Sequence, residues 1–107
     1  MATEFADAAK KGLITEEDSK SLTGSWSALS EAGEATNLNL VHLNNLDILD
    51  VNDLTKAEMA GRKGVQKALT ALKGVVPGFE KAKLRNIGMT IGTRDSRKIV
   101  GRYNLTE

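Results

Sequence analysis

The sequence predicts an α+β domain, with a small antiparallel sheet of about three strands packed against one long amphipathic helix and a shorter N-terminal helix. Three observations lead there. Between Thr55 and Val75, apolar or small residues recur at Gly61, Gly64, Val65, Ala68, Leu69, Leu72 and Val75, the i, i+3, i+4 stripe of a helix. Asn37-Leu-Asn-Leu-Val-His-Leu43 instead alternates, as a half-buried strand does. Two more alternating sets, Ile87, Met89, Ile91 and then Ile99, Gly101, Tyr103, Leu105, flank Thr93-Arg-Asp-Ser-Arg-Lys98 and read as a hairpin. The expected strands therefore run at roughly 37–43, 83–92 and 98–105.

Taken in chain order, the short N-terminal helix has Thr3 as its N-cap, acids early, Lys10 and Lys11 in its last turn, and Gly12 where a left-handed residue closes it. Phe5, Ala8 and Ala9 form its buried face. Thr15-x-x-Asp18 is a second capping pattern that opens one further turn. Ser19–Gly33 reads as mostly irregular and anchored by Trp26. Leu46–Asp53 is an acidic connector with apolar pins. Thr55-Lys-Ala-Glu58 then reads as a capping box opening the long helix, which ends near Val75 because Val76 precedes Pro77. Gly61 and Gly64 each cost that helix roughly 0.8–1 kcal/mol relative to alanine, which predicts close approach by a neighbour, most simply another backbone. Gly88 and Gly92 leave one face of the 83–92 strand nearly bare, open to a packed helix or a planar molecule.

With 107 residues the chain is one small domain or a piece of a larger protein, too short for a dinucleotide domain plus a substrate domain. No cysteine and a single histidine exclude disulfide and zinc frameworks. No apolar run is long enough to span a membrane, and the N-terminus lacks the basic start and apolar stretch of a signal peptide. The net charge of +1 conceals an asymmetry: residues 1–55 carry three Lys against ten Asp/Glu, a net −7, and residues 56–107 carry 12 Lys/Arg against four Asp/Glu, a net +8. Two solvated faces that attract each other explain this, and so does an anion-facing C-terminal half.

Four groupings invite a functional reading. Arg94, Arg97 and Lys98, interrupted by Asp95 and Ser96, offer planar forks suited to a carboxylate or phosphate, although such turns also pair with a protein's own acids. Gly61-Arg-Lys-Gly64 has the G-x-x-G form of the KH-domain loop that clamps nucleic-acid backbones, but its place inside a helical stripe and the near-neutral charge weigh against nucleic acid. Asp47, Asp50 and Asp53 lack the ligand spacing of a calcium loop, because Leu49 and Val51 occupy ligand positions. His42 has no second histidine, cysteine or serine in a recognisable catalytic arrangement and reads from the residues alone as a half-buried strand histidine.

The segments Asp53-Leu-Thr-Lys-Ala-Glu-Met-Ala-Gly-Arg62, Val76-Pro-Gly-Phe-Glu80, Ile91-Gly-Thr-Arg-Asp-Ser-Arg-Lys-Ile-Val-Gly101 and Tyr103-Asn-Leu-Thr-Glu107 follow one another in the order and spacing of a known family. They resemble an internal section of bacterial FAD-dependent oxidoreductases, whose members carry D-L-T-x-A-E-x-x-G-R, V-P-G-F-E and I-G-x-R-[ED]-[ST]-R-[RK]-I-x-G-x-Y-x-L-T. The resemblance is strongest over residues 34–107. Asn39-x-x-His42 is also similar to a strand of the family, with His42 where an arginine stands in relatives. The resemblance implies an internal, substrate-side domain of a larger flavoenzyme, not active alone. FAD would be held by a G-x-G-x-x-G Rossmann unit that this sequence lacks, so FAD belongs to the full-length parent and none is expected on residues 1–107 alone.

It further implies that Arg94, Arg97, Asp95, Ser96 and His42 are the candidates for facing the flavin or an anionic substrate, with Asp95 orienting an arginine. A loop that only stitches two domains together is the competing reading. The implied partner is the rest of the parent chain, its FAD-binding domain, with a homodimer through the exposed sheet also expected and no membrane partner. The rival from another class is a stand-alone, non-catalytic binding module, KH-like or protein-binding.

Overall fold

The computed structural model describes residues 2–25, 28–36, 38–94, 96–97 and 99–103. The expected anchor Trp26 lies outside them. In order, the elements are α1 (Ala2–Lys10), α2 (Glu16–Ser21), β1 (Leu22–Ser25), β2 (Ala28–Leu29), β3 (Ala35–Thr36), β4 (Asn39–Val41) and α3 (Val51–Val75). The chain is α+β, as its pattern implies, with the long helix and the N-terminal helix packed on a small antiparallel pair.

Thr3 does not cap α1, which already begins at Ala2 so that Thr3 lies in its first turn, whereas α2 forms where its capping residue places it. Gly12 closes α1 at φ 72°. Thr15 caps α2, its hydroxyl accepting the Asp18 N–H at 3.1 Å while the Asp18 carboxylate accepts the Thr15 N–H at 3.2 Å. The 25-residue α3 starts earlier than Thr55. The Asp50 carboxylate accepts the Asn52 N–H at 2.7 Å and takes the N-cap, whereas the Thr55 hydroxyl donates to Val51 O at 2.8 Å, four residues back, as a mid-helix threonine does. Two competing caps five residues apart, Asp50 and Thr55, account for the shift, and the acidic connector is thus partly the first turn of α3. The helix stops at Val75 as expected, with Val76 extended ahead of Pro77.

Phe5 and Ala8 of α1, Ile14, Leu22 of β1, Leu40 of β4, and Ala68, Ala71 and Leu72 of α3 make one buried cluster, with Ala9, Val41, Val75, Val76 and Phe79 packed around it. The close neighbour expected at Gly64 is a side chain, not a backbone: a Cβ there would lie 2.7 Å from Val41 Cγ1, so the glycine lets β4 settle against α3. At Gly61 the neighbour is Leu43 Cδ1, 3.7 Å from a built Cβ, which is ordinary contact.

The sheet is assembled from other segments than the alternation suggests. β1 pairs antiparallel with β4, Leu22 opposite Val41 and Ser25 opposite Asn39, with a bulge between; β2 pairs with β3. β1 and β2 thus lie within the stretch read as irregular. The expected strand at 37–43 is present in shortened form as β4, but the hairpin at 83–92 and 98–105 is not formed: residues 83–94, 96–97 and 99–103 carry no strand. The physical reason is burial. Ile87 and Ile91 are half-buried, but Met89 is 90% exposed and Ile99 93%, so the apolar faces are covered only in part, and a two-stranded hairpin without a full covering layer is at best marginal. The Cα radius of gyration, 16.3 Å, exceeds the roughly 13 Å of a compact chain this long, in keeping with a segment outside the core.

Among the described residues, the acidic and basic halves meet at long range through two ion pairs, Asp18 with Lys67 at 2.6 Å and Glu34 with Arg85 at 2.7 Å. The hydrogen bond from Lys67, with help from Thr15, holds the Asp18 carboxyl below its ordinary pKa. Because the folded value is depressed, the stability this contributes is present above the unfolded Asp pKa and is lost as pH falls through the folded one. Urea unfolding of the wild type should therefore weaken as pH drops below about 4, and Lys67→Met should make that fall shallower by up to about 1 kcal/mol.

Candidate functional site

The Arg94–Arg97 stretch reaches its place because the chain before it is tied to α3. After Pro77 the backbone runs back along the helix, with Ile87 and Ile91 half-buried. Two side chains on successive turns of α3 take hold of it. The Glu58 carboxylate accepts the Ile91 N–H at 2.6 Å, and the Arg62 guanidinium donates to Met89 O at 3.0 Å. Glu58 and Arg62 are themselves 3.9 Å apart, four residues along one helix face. The backbone is thus gripped at an N–H and a C=O two residues apart, and Arg94 follows three residues after the second grip.

Arg94, Ser96 and Arg97 are exposed, while Asp95 lies outside the described residues. No described ion pair engages Arg94 or Arg97, in contrast to Arg85, whose guanidinium meets Glu34. His42 stands elsewhere in the fold. It is half-buried just after β4, its backbone N–H donates to Ser21 O at 3.2 Å, and its ring Nε2 would lie 3.5 Å from a Cβ on Gly24. The structure therefore places Arg94, Ser96 and Arg97 on one exposed loop and sets His42 against the β1 bulge, with no described hydrogen bond between the two places.

The remaining groupings are absorbed by the fold. Gly61-Arg-Lys-Gly64 lies in the middle of α3, where its N–H groups sit within the helix and where Arg62 is committed to Met89, so it is not a phosphate-clamping loop between helices. Asp47 accepts the Leu49 N–H at 3.0 Å, Asp50 caps α3, and Asp53 accepts from Lys56 at 2.8 Å and from the Asp47 N–H at 3.2 Å. The hydrogen bond from Lys56 holds the Asp53 carboxyl below its ordinary pKa. Among the described residues, no cluster of His, Asp and Glu could hold a metal ion, and no helix is long and apolar enough to cross a membrane.

Glu58 and Arg62 are the contributors that spacing did not reveal. The spacing predicts a capping box of Glu58 with Thr55, yet the Glu58 carboxylate spans to a segment 33 residues away. The available signal was the motif Asp53-Leu-Thr-Lys-Ala-Glu-Met-Ala-Gly-Arg62, which contains both residues.

A family model described as FAD dependent oxidoreductase matches residues 2–107, extending over α1 and α2 as well as the segments that carry the motifs. No curated protein and no solved structure matches the chain.

Proposed function

Since the chain belongs to the FAD dependent oxidoreductase family, we propose that it forms the substrate-side part of such an enzyme, presents the Arg94–Arg97 loop to the flavin and substrate pocket, and is not active alone. The observation that carries this reading is the pair of exposed arginines without a described acidic partner, on a loop whose approach is fixed by two α3 side chains.

The residues described do not fit FAD by themselves. The strands are antiparallel pairs with no parallel strand–helix–strand unit, and the N-termini of α2 and α3 are already occupied by Thr15 with Asp18 and by Asp50. The diphosphate of FAD would therefore be held by another part of the full-length protein, and the flavin would supply the hydride chemistry. What this chain supplies is positive charge. An arginine fork can donate two hydrogen bonds to a carboxylate and holds its charge at any working pH.

The exposed apolar side chains of the C-terminal segment support the same assignment. Met89, Ile99, Val100 and Tyr103 are each at least 80% exposed, more than an isolated domain gains by leaving to water, and the rest of the parent chain is the partner that would cover them. The experiment that tests the reading is the paired substitution R94A/R97A in the full-length protein, with bound flavin and turnover measured together. Retained flavin with reduced turnover supports it; unchanged turnover overturns it.

A further inference from the structure

We infer that Glu58 and Arg62 are positioning residues that hold Met89–Ile91 on α3 and thereby set the stance of Arg94 and Arg97, an inference that rests on the function proposed above. The two contacts have complementary polarity. Glu58 takes a backbone donor and Arg62 gives to a backbone acceptor, at 2.6 and 3.0 Å, so the strand-like segment is fixed in both position and direction. This matters because, beyond the half-buried Ile87 and Ile91 and the Arg85–Glu34 ion pair, little else described there fixes it. Residues 83–94 have no strand partner, Met89 points to solvent, and Gly88 and Gly92 contribute no side-chain packing.

The grip is also asymmetric along the chain. Glu58 is the more buried of the two, its side chain 30% exposed against 52% for Arg62, and its bond to Ile91 is part-buried. The carboxylate is therefore the main anchor and the guanidinium the secondary one. Because the anchors lie on a helix whose far half is embedded in the core, they transmit the rigidity of Ala68, Ala71 and Leu72 to a loop that makes no core contact of its own. A glutamine at position 58 keeps an acceptor oxygen within reach of the Ile91 N–H, whereas an alanine removes it.

Two readouts on the full-length protein test this. The first is hydrogen–deuterium exchange of a peptide covering Met89–Arg94. Glu58→Ala should exchange about tenfold faster there, Glu58→Gln should stay near wild type, and a peptide covering Ala68–Leu72 should be unchanged in both. The second is calorimetric binding of inorganic phosphate as a probe of the arginine pair. Glu58→Ala should weaken phosphate binding several-fold in the wild-type background and not at all in the R94A/R97A background, since an effect carried by the arginines disappears with them. Unchanged exchange in Glu58→Ala would overturn the grip. Faster exchange with phosphate binding unaltered, or weakened equally in both backgrounds, would overturn positioning. Insensitivity of phosphate binding and turnover to R94A/R97A would instead sink the functional reading while leaving the exchange result to stand for the grip alone.

Discussion

Gly24→Ala is expected to destabilise the domain by about 3 kcal/mol or more, a large share of the roughly 5–15 kcal/mol that holds a small domain folded. Gly24 sits in the β1 bulge at φ 125°, where an L side chain is strained. A Cβ there would also drive into the backbone carbonyl of Asn39 on β4, with Asn39 C at 3.1 Å and His42 Nε2 at 3.5 Å. Backbone atoms cannot rotate away as a flexible side chain can, so relief requires β1 and β4 to separate. That separation would uncover Leu22 and Leu40, which lie in the same buried cluster as Phe5 and Leu72. Urea unfolding followed by circular dichroism measures the loss. Gly12→Ala is a useful comparison, because a Cβ at that position meets nothing within 4 Å and only the backbone strain remains.

The largest functional effect is expected from R94A/R97A in the full-length enzyme, where kcat/KM should fall by about a hundredfold or more while bound flavin is retained. The size follows from what is removed. A preorganised cationic donor aimed at charge in a water-excluded pocket is worth far more than the same arginine in solvent, where the surrounding water already stabilises the anion. Flavin retention follows if, as proposed, the cofactor's diphosphate is held by another part of the protein. Lysine replacements should recover only part of the loss, because a point charge does not reproduce two parallel hydrogen bonds. If the loop served only to join two parts of the protein, the double substitution would lower stability and leave kcat/KM of the folded fraction intact.

The sequence makes the helical half of this fold legible and the sheet only partly so, for identifiable reasons. α3 is written in a stripe of small and apolar residues longer than any local ambiguity, and Pro77 marks its end. Its start differs from the expected one because Thr55-x-x-Glu58 satisfies the capping pattern locally while Asp50 wins by capping five residues earlier, leaving Glu58 free to reach Ile91. Alternation located β4, but β1 carries Thr23, Gly24 and Ser25, a composition that announces a loop and pairs only because β4 lies beside it. Conversely, residues 83–103 have the alternation of strands without a layer to bury them, and pattern alone does not supply that layer. At the candidate site, Arg94 and Arg97 were legible as a short basic cluster. Their support by Glu58 and Arg62 was not, because contacts made across 33 and 27 residues leave no periodic trace.

The measurement that bears most directly on the central claim is the visible absorbance spectrum of the polypeptide from the full open reading frame, purified beside residues 1–107 alone. A flavin spectrum is expected in the full polypeptide and none in the isolated chain, since among the described residues the antiparallel pairs and the capped N-termini of α2 and α3 offer no seat for the cofactor's diphosphate. Stoichiometric flavin on residues 1–107, or a full polypeptide that carries none under any reconstitution, would contradict it.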